Sequence, residues 1–281
     1  MKRILFILFI FLYTNTIVRA DNFPSDKSLK VLLDSGEYFQ FRDAFETHLH
    51  DSTRIHSITN DDYYYFSWYY FLLNKPAGSN LAIETLLAKK DLNCSDSIVA
   101  ELLELHLQND LRLFDYKMAD SLCGILLFRY PSVMNKETLA EMKNTEGIMS
   151  TLKKIPAQTV ERNGDLDIKF KRDISSLIRI PVSMNNETGN FILDTGANLS
   201  TLSESEAKKM GVKILDVNFD VTSSSRSAVQ SKLGVANKLE IGNVIFRNVV
   251  FIVLPDKSLS FLGGIYKIKG IIGLPVIAAL G

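Results

Sequence analysis

The sequence predicts an α+β chain in two parts, an N-terminal α-helical region and a C-terminal small closed antiparallel β-barrel. Three observations carry this. Apolar residues recur at helical spacing as far as about Lys154, as in residues 80–87 and 97–107. After Pro156 the period shortens to alternation in short, closely set segments. In that second part an apolar run, Phe191-Ile192-Leu193, delivers a tight turn reading Asp194-Thr195-Gly196-Ala197.

Residues 1–20 read as an export leader. Lys2 and Arg3 give a positive start, residues 4–13 are an unbroken apolar run, and Val18-Arg19-Ala20 offers a cleavage site. The run is too short to span a bilayer. Cleavage after Ala20 removes Lys2, Arg3 and Arg19 and no acid, so the expected mature chain is slightly acidic and exported, periplasmic or secreted. Over the whole chain Lys plus Arg and Asp plus Glu balance at 32 each, which gives no electrostatic footprint for nucleic acid.

Residues 21–155 are expected to form the helical region. Lys75-Pro76 through Ser79 and Asn93 through Asp96 read as breaks, the second with Ser95 or Asp96 as a helix cap. Tyr116-Lys117-Met118-Ala119, followed by Leu122, Leu126, Tyr130 and Pro131, resembles a tetratricopeptide-type repeat, where Ala packs between two helices. Such a helical, repeat-like region implies a surface for a protein partner. The aromatic run 63–71 fits either a ligand-stacking surface or a helix packed between two others, with tyrosine hydroxyls reaching the rim; packing is favoured, because stacked helices need such a layer. Cys94 and Cys123 are expected as free thiols, although an exported chain could bridge them.

Residues 156–281 are expected to form the barrel. Strand patterns fall at 166–170, 177–184, 190–193, 235–239, 244–246 and 249–254, with Ile241-Gly242-Asn243 as a hairpin turn. One helix stands out at 203–210, with Ser203 as cap and Glu206 three residues on.

The Asp194 turn suits acid–base chemistry. Two carboxylates sharing one proton can hold a water, one accepting its proton while the other donates to the leaving group. Asp194 would supply one of them. Gly196 lets its N–H approach the carboxylate, and Thr195 brings a hydroxyl to the turn.

Ile192-Leu193-Asp194-Thr195-Gly196-Ala197 resembles the hallmark of the retropepsin-like aspartic peptidases. Their second hallmark is two hydrophobic residues and a glycine on a strand beside the catalytic loop. It has a counterpart in Ile271-Ile272-Gly273, followed by Leu274-Pro275. The resemblance covers residues 159–281, and the leader and helical half are also similar to exported bacterial members. It implies a closed barrel of acid-protease type and peptide-bond hydrolysis without metal or organic cofactor. It implies catalytic roles for Asp194, Thr195 and Gly196 and substrate contacts by Ala197. A covering hairpin near 221–233 would contribute Ser223, Ser224 and Ser225, where family members carry more glycine. Ile271, Ile272 and Gly273 would support the loop. One Asp-Thr-Gly is half a site, so the second aspartate is expected from a paired chain or a second lobe. The returning strand that family members place after this helix has no counterpart before Gly281, so the C-terminal end of the domain is expected to be incomplete.

Other chemistries find less support. A phosphoryl-accepting Asp of ATPase type is followed by Lys, whereas Thr195 follows Asp194, and no phosphate-binding glycine loop is present. His48, His50, His56 and Asp51 lack the spacing of a metal site, and His106 reads as a packing residue in an apolar helix. All four histidines lie in the helical half, which leaves a Ser-His-Asp arrangement without its base. Asn93, Asn186 and Asn198 begin glycosylation triplets; a glycan on Asn198 would obstruct the turn, which favours a bacterial origin. The rival reading from another class is a peptide- or protein-binding module that uses the same fold without cutting.

Overall fold

The computed structural model describes residues 27–50, 58–90, 92–165, 167–222 and 228–280. The leader and Ser223, Ser224 and Ser225 lie outside the described residues, as do His56 and Asp51. The described residues divide between Lys153 and Lys154 into two compact units.

The first unit is helical: α1 (Lys27–Asp34), α2 (Tyr38–His50), α3 (Asn60–Leu72), α4 (Pro76–Leu87), α5 (Asp96–Leu113), α6 (Tyr116–Arg129) and α7 (Lys136–Leu152). Local chemistry sets the starts. Thr59 accepts from Asp62 N at 3.2 Å while Asp62 Oδ2 accepts from Thr59 N at 2.8 Å, a reciprocal cap on α3. Ser95 caps α5 by accepting from Ile98 N, and Pro76 opens α4 where its missing N–H costs nothing. Asn74 and Phe114, both at positive φ, turn the chain from α3 into α4 and from α5 into α6.

The aromatic run is α3. Tyr64, Tyr65, Trp68 and Phe71 are buried against Phe41 and Phe45 of α2, Ile83 and Leu86 of α4, and Ile98, Leu102 and Leu105 of α5. The tyrosine hydroxyls bond carboxylates: the fully buried Tyr64 donates to Glu101 at 2.5 Å and Tyr69 to Glu46 at 2.7 Å. Packing accounts for the run. Neither cysteine is bridged, and Cys123 lies in the interior.

The second unit is built from β1 (Thr159–Arg162), β2 (Lys171–Arg172), β3 (Ile178–Met184), β4 (Glu187–Leu193), β5 (Ser200–Ser203), α8 (Glu204–Lys209), β6 (Lys213–Thr222), β7 (Ala228–Ile241), β8 (Val244–Leu254), β9 (Ser260–Phe261), β10 (Tyr266–Lys267), β11 (Gly270–Ile272) and α9 (Leu274–Ile277). Six of these strands close into a ring in the order β8, β5, β11, β4, β3, β7 and back to β8. Strand β1 adds outside β8, β2 outside β3 and β6 outside β7, while β9 and β10 form a separate hairpin. Ile180, Val182, Met184, Phe191, Leu202, Leu239, Phe246, Phe251 and Ile272 fill the ring.

The ring is mixed, not antiparallel as the sequence led us to expect. β11 runs parallel to β4, and β5 parallel to β8. The cause is that β11 inserts between β4 and β5, which are consecutive in sequence and run oppositely, so it must be parallel to one of them. Two smaller expectations also change. Residues 167–170 form no strand, only Ile168 packing onto the core. The segments 244–246 and 249–254 are one strand, β8, continuous through Asn248 at positive φ. Ser203 caps α8, accepting from Glu206 N at 3.3 Å, but Glu206 does not reach back, because Ser203 N is taken by the Lys269 carbonyl at 2.9 Å.

Candidate active site

Strand β4 buries Phe191 in the ring and ends at Leu193, so Asp194 emerges half-buried at the rim. Its position is fixed from the neighbouring strand. The register Ile271↔Ile192 and Ile272↔Leu193 carries β11 alongside, and Asp194 N donates to the Ile272 carbonyl at 3.0 Å. The turn then closes on itself. Gly196 N donates to Asp194 Oδ1 at 2.9 Å, and Ala197 N donates to the Asp194 carbonyl at 3.2 Å.

The frame continues past the turn. Leu274 N donates to the Ala197 carbonyl at 2.8 Å, and Gly273 N donates to Ser200 Oγ at 3.1 Å. Gly273 lies where its strand passes closest to the turn: a Cβ there would stand 2.6 Å from the Ala197 carbonyl oxygen. Thus Ile271, Ile272 and Gly273 surround the turn through backbone contacts rather than side-chain chemistry. Thr195 and Gly196 are exposed at its apex.

Ala197, read from sequence as a substrate contact, is 3% exposed, and its carbonyl is occupied by Leu274; its place is in the frame. Ser200 went unrecognised in that role, because its triplet Asn198-Leu199-Ser200 reads equally as a glycosylation acceptor. Among the described residues the Asp194 carboxylate is hydrogen-bonded by Gly196 N, and no second carboxylate bonds to it. No group of His, Cys, Asp and Glu among the described residues is arranged to hold a metal ion. His48 is instead hydrogen-bonded to Asp62 at 2.9 Å.

Residues 180–276 match the model of the family described as aspartyl protease. That span, under half of the chain, holds both hallmarks, the Asp194 turn and β11. No curated protein matches the chain. Among solved structures, the chain is similar to a retropepsin-like aspartic protease from Rickettsia conorii, with 19% identity over 44% of this chain and 82% of that one and a TM-score of 0.27.

Proposed function

We propose that the barrel unit is an aspartic endopeptidase in which Asp194 is one of two catalytic carboxylates. The observation that supports this most is the Asp194 turn itself: a rim carboxylate bonded by Gly196 N, with its backbone locked to β11. The second aspartate comes from a paired chain or a second lobe. Water held between the two loses a proton to the ionised carboxylate as its oxygen attacks the scissile carbonyl carbon. The protonated partner then donates to the leaving nitrogen as the C–N bond breaks. Thr195 and Gly196 present the apex of the turn. The hairpin β6–β7, paired out to Thr222↔Ala228, covers bound peptide and brings Ser223, Ser224 and Ser225 to it. No cofactor takes part. The protein is exported, periplasmic or secreted, and its tetratricopeptide-like helical unit recruits a protein partner or substrate.

A second reading keeps the fold without the chemistry. In that reading the barrel holds extended peptides by strand addition and does not cut. Cleavage of a mixed peptide library from acid to neutral pH, by wild type and Asp194→Asn, separates the two. Cleavage that a statine-type mimic inhibits and that disappears in the variant supports the peptidase. Binding without cleavage by either protein supports the module.

A further inference from the structure

Strand β4 leads into Asp194, and its outer face is crossed by a second, separate set of polar contacts. Alternation along paired strands sorts the faces. Ile180 and Phe191 point into the ring, so Arg179 and its cross-strand partner Ile192 point out. Ile192 is nevertheless only 4% exposed. Across this face Arg179 of β3 meets Tyr266, which belongs to the hairpin leading into β11. Arg179 Nη2 donates to the Tyr266 hydroxyl at 3.1 Å, and that hydroxyl donates to Asp173 Oδ2 at 2.5 Å. Arg179 Nε donates to the same Asp173 oxygen at 2.8 Å, and Nη1 donates to the Asn190 carbonyl of β4 at 3.3 Å. The Arg179–Tyr266 contact thus ties β3 to the β9–β10 hairpin, from which the chain runs through Ile268 and Lys269 into β11, the strand beside β4.

Each end is held. Asp173 Oδ1 accepts from Ser175 N at 2.8 Å and from Leu177 N at 3.1 Å, closing the turn before β3. On the other side Ile268 N donates to the Leu259 carbonyl at 2.9 Å, with both side chains buried, and Lys269 then passes into β11. The Asp173 and Arg179 side chains are 11% and 16% exposed, too sheltered for an ordinary surface pair.

We infer that Asp173, Arg179 and Tyr266 form a positioning strap that holds β4 and β11 together next to Asp194 and so fixes the catalytic turn. The inference rests on the reading of Asp194 as the reacting carboxylate, because only then does a small displacement of the turn cost turnover. None of the three touches the reacting atoms.

The test is hydrogen exchange and cleavage kinetics on the full chain, as wild type, Tyr266→Phe, Asp173→Asn, Arg179→Met and Arg179→Lys. Tyr266→Phe keeps the ring and removes one hydroxyl, so the fold has the least reason to fail. The expected result is exchange about tenfold faster in segments 190–197 and 259–273, the size set by losing one charge-assisted hydrogen bond, with 228–254 unchanged. In step, kcat falls about tenfold while KM stays within about twofold. Arg179→Lys, which keeps the charge, falls between wild type and Arg179→Met. Unchanged exchange at 190–197, or an equal rise across 228–254, overturns the strap, since a merely stabilising cluster loosens the whole barrel. A wild type that cleaves no peptide removes the peptidase reading, while the exchange pattern still decides whether the strap holds the turn.

Discussion

A Cβ placed on Gly273 would stand 2.6 Å from the Ala197 carbonyl oxygen and 2.8 Å from the Leu199 carbonyl carbon. Both neighbours are backbone, and the Ala197 oxygen is already committed to Leu274 N. The φ of Gly273 is −91°, so the requirement for glycine is one of space and not of a left-handed conformation.

Gly273→Ala is therefore expected to push β11 and the Asp194 turn apart. The cost should be about 3 kcal/mol, at the upper end of overpacking, because backbone cannot rotate away as a side chain does. Denaturant midpoints of wild type and variant measure it. A change below about 0.5 kcal/mol would mean that the turn yields, and that the close approach does not hold it.

Asp194→Asn should separate chemistry from folding. The amide oxygen of Asn still accepts from Gly196 N, so the turn is preserved and stability should move by less than about 1 kcal/mol. Peptide hydrolysis should fall on the order of a thousandfold or more, as expected when a group that moves protons is neutralised. Melting curves and turnover measured on the same preparation check both halves. Residual turnover within tenfold of wild type would show that another group is the base.

Helix α5 predicts that the helical unit favours mildly acid pH. His106, 6% exposed, bonds Asp110 Oδ2 through Nδ1 at 2.9 Å and Glu84 Oε1 through Nε2 at 3.1 Å. Burial alone would lower its pKa, but the hydrogen bonds and charges of Asp110 and Glu84 outweigh this and raise it. Glu104 is pushed up to about 7, by burial first and then by the charge of Glu101. Both folded values lie above the unfolded ones. The His106 contribution is thus complete below about 6.5 and lost as pH rises through its raised pKa, while that of Glu104 is complete below about 4.5 and lost through about 7. His106→Gln should cost about 1 kcal/mol at pH 5.5 and less at pH 9. Glu104→Gln should add at most about 3 kcal/mol at pH 8 and nothing near pH 4. Circular-dichroism melts across that range test both; a Glu104→Gln effect independent of pH would sink the assignment.

The sequence made much of this legible because periodicity and turn chemistry are local. The aromatic layer of α3, the Ser95 and Ser203 caps, and the Asp194 turn all follow from residues within a few positions of each other. What was hidden depends on distant pairing. His106 reads as a packing residue although Asp110, one of its partners, lies one turn along the same helix; the other, Glu84, lies on another helix. The mixed ring could not be read because alternation marks a strand without giving its direction, and β11 inserts between β4 and β5 from far along the chain. Ser200 reads as part of a glycosylation triplet, while the Gly273 N that donates to its hydroxyl lies 73 residues on. Asp173, Arg179 and Tyr266 carry no motif, since three separate segments bring them together.

Glu206 offers a test of the frame from the opposite side. As the third helical residue after the Ser203 cap it would ordinarily bond back to the cap N–H, but Lys269 already occupies that group. Its side chain is 4% exposed and turns under Gly189 and Met210. Oε1 has no hydrogen-bond partner among the described residues, and Oε2 stands 3.9 Å from Lys269 Nζ, itself mostly in solvent. A carboxyl so placed loses hydration without full recompense. Its place in the first turn of α8 returns only about 0.5 kcal/mol through the helix dipole. Glu206→Met, close in volume, should therefore stabilise the barrel by about 1 kcal/mol. Destabilisation by the same amount, read from denaturant midpoints, would show that Glu206 is bound to a group of its own and belongs to the frame around β4.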